Sequence, residues 1–425
     1  MINLSINKKV LIFGFIFTFF SSFGQSLFLG LFNPSIRGEL DITHGQFGTI
    51  YAAATICSSL VLIWFGKKID EFKLFNYSLI VIIILFSSSF LFSLINNIYF
   101  LMIAIFLMRF SGQGLMSHTS STTISRYFNK SRGRALSGIW FGLSSAEFIL
   151  PILIIFLLSI FSWRTIWQFI SIIILITLPL VIFYTIKTIT IDSRESSNLD
   201  ESKKRFKNIK SWKRSEVLRD FKFYKISLNM LAMPWIATGV FIYQSFIADS
   251  KLWDIYIIPK SFMVYSVTSI LTLISSGFLV DKFSSRKLIP FMNVPLLIGM
   301  LILYFFDFSY SAYFFFGLVG ISNGLANVLG SSTWAEIYGV RYLGSIKALT
   351  TALMVFSTAF GPAIFGLLID QGFTIEHIAL VSVIYISLSL LALLIIKDQL
   401  SQLFTQKKLD FYDAFNYLLL ILWPE

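Results

Sequence analysis

The sequence contains too little charge for a large soluble protein. Only 13% of its 425 residues are charged, whereas 56% are hydrophobic, and soluble domains carry about 25% charged residues. The single cysteine, Cys57, excludes an internal disulfide. The three histidines (His44, His118 and His377) lack the spacing of a metal site, and we expect neither a metal nor a cofactor. The composition predicts an integral membrane protein.

Several function classes lack their characteristic residues. The chain has no G-x-x-x-x-G-K-[ST] loop, so we do not expect it to hydrolyse nucleotide. No constellation of serine, cysteine or histidine with a base is evident, so an enzyme is not expected. The apolar runs carry only scattered polar residues, whereas a channel needs a continuous polar lining.

Twelve apolar runs are long enough for a helix of about 20 residues to cross a membrane. The predicted spans are 10–32, 47–66, 75–95, 98–125, 135–158, 165–186, 222–247, 258–280, 287–306, 310–333, 345–369 and 376–396. The first lacks a signal-peptide cleavage site and is predicted to be an uncleaved span. The spans predict an N-terminal six-helix bundle (1–186), a cytoplasmic linker (187–221), a C-terminal six-helix bundle (222–396) and a cytoplasmic tail (397–425).

The positions of lysine and arginine orient these spans. If both termini are cytoplasmic, the inner segments carry 29 basic residues and the outer loops only four, with Arg109 inside a span. Such a bias is typical of cytoplasmic loops. We therefore predict a multi-pass protein of the plasma or inner membrane. The net charge of +12 is explained by membrane orientation, so the lipid bilayer is an expected partner and nucleic acid is not.

The two halves of the chain repeat each other at an offset of 211 residues. Gly66 and Asp70 recur as Gly277 and Asp281, and Pro151 recurs as Pro362. The matches favour two bundles in parallel orientation, related by a pseudo-two-fold axis along the membrane normal.

With these motifs the chain resembles the major facilitator superfamily over essentially its whole length. GKKIDEFK (66–73) and GFLVDKFSSRK (277–287) are similar to its cytoplasmic loop motif, and RFSGQG (109–114) is similar to its fourth-helix motif. The resemblance implies an all-α fold of twelve transmembrane helices and a secondary transporter that works by alternating access. It also implies a cytoplasmic gate, with glycines where neighbouring helices approach closely; the gate residues are Gly66, Asp70, Arg132, Arg134, Gly277, Asp281 and Arg286. Alternatively, the aspartates only balance loop charge.

Arg109 and Glu147 are charges inside apolar spans. Each lies about 11 residues from the outer end of its span, or about 16 Å deep at 1.5 Å per residue. Charges at that depth are costly and commonly functional. One hypothesis is a static ion pair. The other is that Arg109 binds an anionic substrate and exchanges partners with Glu147, which could also couple transport to protons.

The resemblance implies a central cavity lined by the first, fourth, seventh and tenth helices. The polar candidates for substrate binding beside Arg109 are Gln25, Gln113, Tyr243, Gln244, Asn323 and Asn327. Each amide could instead form a hydrogen bond between helices.

A lone cation in the cavity favours a small organic anion, such as a monocarboxylate, as the substrate. Gly24-Gln-Ser and Phe32-Asn-Pro34 are loosely similar to patterns of monocarboxylate and oxalate–formate carriers. One alternative is a proton-coupled exporter of hydrophobic or cationic compounds, and another is a membrane sensor without transport. We expect a small-molecule substrate, a co-transported or exchanged ion (a proton) and a monomeric protein.

Overall fold

The computed structural model describes residues 6–128, 132–187, 212–339 and 343–395. All regular elements in these ranges are helical. Within these ranges twelve helices are long and apolar enough to cross a membrane, which agrees with the predicted number. The tail 397–425 and most of the predicted linker lie outside the described residues.

We number the spanning helices α1 to α12. Their bounds are Asn7–Gly30, His44–Phe65, Leu74–Phe92, Ile98–Ile124, Ala135–Leu158, Trp163–Thr185, Phe221–Ile242, Ile257–Val280, Ser285–Phe305, Tyr310–Tyr338, Leu349–Asp370 and Ile375–Ile395. Short helices at Asn33–Leu40, Arg214–Val217 and Gln244–Ser250 lie between them.

The helices form two six-helix bundles, α1 to α6 and α7 to α12. Across the boundary, α2 packs against α11, α5 against α8, and the end of α1 against α7. We call the face that carries the 66–73 turn the terminal face, because the described chain also begins and ends there. The opposite face, which carries residues 31–43 and 243–256, is the distal face.

Two spans depart from the continuous helices that the sequence predicts. Helix α1 is interrupted after Ser21, and Gln25 is extended (ψ 150°) before a helix resumes at Ser26. The interruption lies against α4, where a Cβ on Gly24 would come within 2.8 Å of the Gly112 Cα. Helix α4 is widened into a π-helix over Arg109–Met116, a feature frequent at functional sites.

The seventh span is shorter than predicted. Its helix ends at Ile242 rather than at residue 247, because Tyr243 (φ −104°, ψ 25°) leaves the helical conformation. The tenth span extends further than predicted, to Tyr338. The early end of the seventh span places Tyr243 between two helices and Gln244 at the start of the second, Gln244–Ser250.

A short amphipathic helix at the distal face, Asn33–Leu40, is attached to the start of α6. The indole nitrogen of Trp163 donates a hydrogen bond of 2.8 Å to Glu39, and Arg164 pairs with the same carboxylate. The hydrogen bond from Arg164 lowers the pKa of the Glu39 carboxyl. These contacts hold the loop between α1 and α2 against the N-terminal bundle.

Candidate functional site

Arg109 is a buried cation at the interruption of α1. Its side chain is 2% exposed, and its Nη1 donates to the Gly24 carbonyl (3.1 Å) and approaches the Ser26 hydroxyl (3.4 Å). Its guanidinium carbon lies 5.2 Å from the ring centre of Tyr51 on α2. The cation is therefore held by neutral oxygens and an aromatic face, an arrangement that attracts a positive charge without neutralising it.

No carboxylate neutralises Arg109. Among the described residues no aspartate or glutamate oxygen lies within 4.0 Å of its nitrogens. The ion pair with Glu147, one of the two hypotheses, is therefore not formed among the described residues. Both residues lie at the interruption of α1: Arg109 donates to the Gly24 carbonyl, whereas Glu147 lines a cavity with Ser22 and Gln25.

Glu147 lies at the boundary between the bundles. The half-buried residue lines a cavity of about 10 Å³ together with Ser22 and Gln25, a volume close to what a single water requires. The charge of Glu147 acts electrostatically on Tyr265, a buried residue of α8 in the other bundle. In the part of the chain that the structure describes, no basic side chain pairs with Glu147.

The other predicted lining residues are dispersed. Gln113 is half-buried one turn after Arg109, and Asn327 is exposed on α10. The Asn323 amide donates a hydrogen bond of 3.0 Å to Ser269 on α8, within the C-terminal bundle. Asn323 thus makes the interhelical bond that the alternative hypothesis expects of an isolated amide.

Tyr243 and Gln244 join the two bundles at the distal face. The Tyr243 hydroxyl donates to the His44 carbonyl (2.7 Å), and the Gln244 amide donates to the Leu27 carbonyl (3.0 Å). Two further bonds cross nearby, from Asn33 to the Ile242 carbonyl (2.8 Å) and from the Gly45 amide to Asp370 (2.9 Å). Within the described ranges these four hydrogen bonds are the ones that link the bundles, so the distal face is closed.

Glycines bring the bundles into backbone contact at the same face. A Cβ on Gly48 of α2 would overlap the Pro362 carbonyl of α11, and one on Gly30 of α1 would overlap the Phe241 carbonyl of α7. Small residues are what allow helices to approach this closely in a membrane. The distal closure therefore depends on backbone packing as well as on hydrogen bonds.

The predicted gate residues are only partly described. The Gly66 carbonyl lies 3.1 Å from the His118 Nε2 of α4. The close helix approach expected at Gly277 is not found among the described residues, since nothing lies within 4 Å of a Cβ built there. Arg286 pairs with Glu336 of its own bundle at 3.5 Å. The side chains of Asp70, Arg132, Arg134 and Asp281 lie outside the described residues.

Sequence reasoning missed the residues that contact these charges. Tyr51, Tyr265 and Glu336 are separated from their partners by at least 50 positions in the chain. Glu336 accepts from the backbone amides of Ser285 (3.1 Å) and Arg286 (3.3 Å). The position of a carboxylate just after the tenth predicted span was the signal available for Glu336, and the sequence contained no signal for the tyrosines.

A helical bundle with paired halves, an interrupted first helix and buried charges at its centre defines a membrane transporter. Residues 14–259 match the family model of the Major Facilitator Superfamily. The match covers more than half of the chain, so the protein belongs to this superfamily, and its fold is the predicted one. It is a multi-pass membrane transporter with a small-molecule substrate. No curated protein matches the sequence.

Solved structures share the fold at low identity. A bacterial homolog to the human lysosomal transporter Spinster, in an inward-facing and unoccupied conformation, has a TM-score of 0.70 at 12% identity. The match covers 93% of this chain and 98% of that chain. The nucleoside transporter NupG has a TM-score of 0.67 at 12% identity, covering 95% of this chain and 100% of that chain.

Proposed function

We propose that the protein is a secondary active transporter of a small organic anion, such as a monocarboxylate. The observation that carries this proposal is the environment of Arg109, a cation 2% exposed with no carboxylate within 4.0 Å in the described part of the chain. A buried charge is stabilised when a partner neutralises it. A substrate carboxylate would replace the neutral Gly24 and Ser26 oxygens, because charge-assisted hydrogen bonds are the stronger ones.

The two bundles and their closed distal face support alternating access. The distribution of basic residues favours a cytoplasmic terminal face, so both termini are cytoplasmic and the described conformation is inward-facing. Transport requires the four distal hydrogen bonds to break while the terminal face closes. We assign that second closure to the predicted gate, which comprises Gly66, Asp70, Arg132, Arg134, Gly277, Asp281 and Arg286.

Glu147 is the coupling residue of this proposal. It lies beside the interruption of α1 and acts electrostatically on Tyr265 of the other bundle, so its protonation state changes the charge at the boundary that moves. In this mechanism the proton is the coupled ion, and the protein acts as a monomer in the plasma or inner membrane. Its bundles comprise residues 1–186 and 222–396.

A second candidate is proton-coupled export of hydrophobic or cationic compounds. A cleft of about 270 Å³ between α5 and α8 favours it, because apolar and aromatic side chains form most of its wall. The lining residues are Ser137, Gly138, Trp140, Phe141, Ser144, Ile270, Leu273 and Ile274. In this case Glu147 attracts the cation, since it lies on α5, which supplies five of the eight lining residues.

Uptake by proteoliposomes distinguishes the two candidates. Vesicles with the purified protein are given labelled acetate, lactate or oxalate, or the lipophilic cation tetraphenylphosphonium, with and without a proton gradient. We expect carboxylate uptake that Arg109→Gln abolishes and Arg109→Lys weakens, since lysine keeps the charge but loses the planar donor set.

The matched control is Arg164→Gln, which removes an arginine that pairs with Glu39 at the distal surface. This variant should transport at the wild-type rate. Carboxylate uptake by Arg109→Gln equal to the wild type contradicts the anion site. Uptake of the cation alone, lost in Glu147→Gln, supports the exporter.

A further inference from the structure

Two hydroxyl groups beside Arg109 form no hydrogen bond of normal geometry in the described structure. These are the Tyr51 hydroxyl and the Thr55 hydroxyl, and the Nε of Arg109 shares this property; all three groups are buried. Tyr51 is 0% exposed and Thr55 2%. Buried polar groups are nearly always satisfied in proteins, so three groups without such a bond in one place require an explanation.

These groups form one cluster. Tyr51 and Thr55 are four residues apart on α2, which places them on the same face of the helix. The Tyr51 hydroxyl lies beside Ser26 and Thr55, and Ser26 in turn lies 3.4 Å from the Arg109 Nη1. Helices α1, α2 and α4 thus bring the guanidinium and three hydroxyls together.

The chemistry of the cluster fits an oxyanion. A guanidinium only donates hydrogen bonds, and the hydroxyls of tyrosine and threonine can each donate one. A carboxylate only accepts, and its two oxygens offer about four lone-pair sites. A cationic ligand would be repelled by Arg109, and a neutral apolar ligand would leave the donors unpaired.

We propose that Tyr51 and Thr55 complete an oxyanion site with Arg109, and that their hydroxyls donate to the carboxylate of the substrate. This inference rests on the proposed transport of organic anions. It assigns substrate recognition to α2, which carries none of the residues expected to line the cavity. Tyr51 also positions the cation, because its ring lies against the guanidinium.

Binding to the purified protein tests the site. Titration calorimetry with acetate, lactate and oxalate gives the Kd of the wild type, Tyr51→Phe and Thr55→Val. Phenylalanine keeps the ring against Arg109, and valine keeps the shape of threonine. We expect each variant to raise the Kd about tenfold, the effect of losing one hydrogen bond to a charged group. Thr55→Ser, which keeps the hydroxyl, should retain wild-type affinity.

Matched controls remove hydroxyls elsewhere. Tyr385→Phe removes a hydroxyl that bonds the Leu228 carbonyl, and Thr177→Val removes one that bonds the Ile173 carbonyl within α6. Both should bind as the wild type does. Monodisperse elution of each variant in detergent shows that it is folded.

The outcomes separate the inference from the proposed function. If Arg109→Gln loses binding while Tyr51→Phe and Thr55→Val keep the wild-type Kd, the oxyanion site is refuted and anion transport stands. If the wild type binds none of the three carboxylates, the proposed function fails and the inference fails with it. A tenfold loss in both hydroxyl variants, absent from the controls, supports the site.

Discussion

Gly48 of α2 is a position where an added methyl group acts directly on the closed distal face. A Cβ built there overlaps the carbonyl oxygen of Pro362 and lies 2.7 Å from its carbonyl carbon. Both atoms belong to the backbone of α11, so a change of rotamer cannot relieve the contact. Gly48→Ala must therefore push α2 away from α11.

The size of the effect follows from the cost of overpacking. An extra methylene in a well-packed site costs about 1–3 kcal/mol. In the proposed cycle the distal-open state separates α2 from α11, so the cost falls on the distal-closed state alone. A penalty of about 1–3 kcal/mol changes the ratio of the two states by about 5- to 150-fold. Gly48→Ala should therefore populate the distal-open state.

Spin-label distances across the distal face measure this ratio. In a Cys57→Ser background, labels at Ser159 and Gln371 report on the two bundles from exposed positions. Gly48→Ala should add a longer distance. Gly38→Ala is the control, since nothing lies within 4 Å of a Cβ at Gly38. A distance distribution identical to the wild type would refute the argument that glycine packing holds the distal face closed.

Three further predictions concern single polar groups. Tyr243→Phe removes the hydroxyl bonded to the His44 carbonyl. The loss of about 1 kcal/mol should raise the ratio of the distal-open to the distal-closed state about fivefold in the same spin-label measurement, and an unchanged ratio counts against this bond. Glu147→Gln keeps the shape of the side chain but cannot release a proton, so uptake should become independent of the proton gradient. A pH-sensitive dye inside proteoliposomes measures the proton flux that accompanies uptake, and a flux equal to that of the wild type removes Glu147 from coupling. The Glu39 carboxyl has a lowered pKa beside Arg164, so its contribution to stability is present above the ordinary carboxyl pKa and is lost as pH falls through the lowered value. The Tm in detergent should therefore fall more steeply with acid in the wild type than in Glu39→Gln, and parallel curves contradict the assignment.

The fold was readable from the sequence because a membrane span leaves a local signal. A helix that crosses the hydrocarbon must satisfy its backbone internally and present apolar side chains over about 20 residues. Twelve such runs, and the repeat that relates Gly66 to Gly277 and Pro151 to Pro362, are visible without coordinates. Family membership followed from the same motifs.

The arrangement of the site was not readable in the same way. Arg109 and Glu147 have similar depth on consecutive helices, which made an ion pair one hypothesis, yet the described residues form no such pair. Depth depends on position along one helix, whereas pairing depends on the rotation of two helices. The apolar pattern gives little information on rotation, because lipid and protein interior are equally apolar.

The sequence by itself determined the class of protein, the number of spans and the positions of the two intramembrane charges. Only the tertiary structure decided that α1 is interrupted at Gly24, that Tyr243 joins the bundles, and that Tyr51 and Thr55 lie beside Arg109. Spans are set by interactions between neighbouring residues and the membrane. These contacts instead join residues far apart in the chain, and packing between helices alone brings them together.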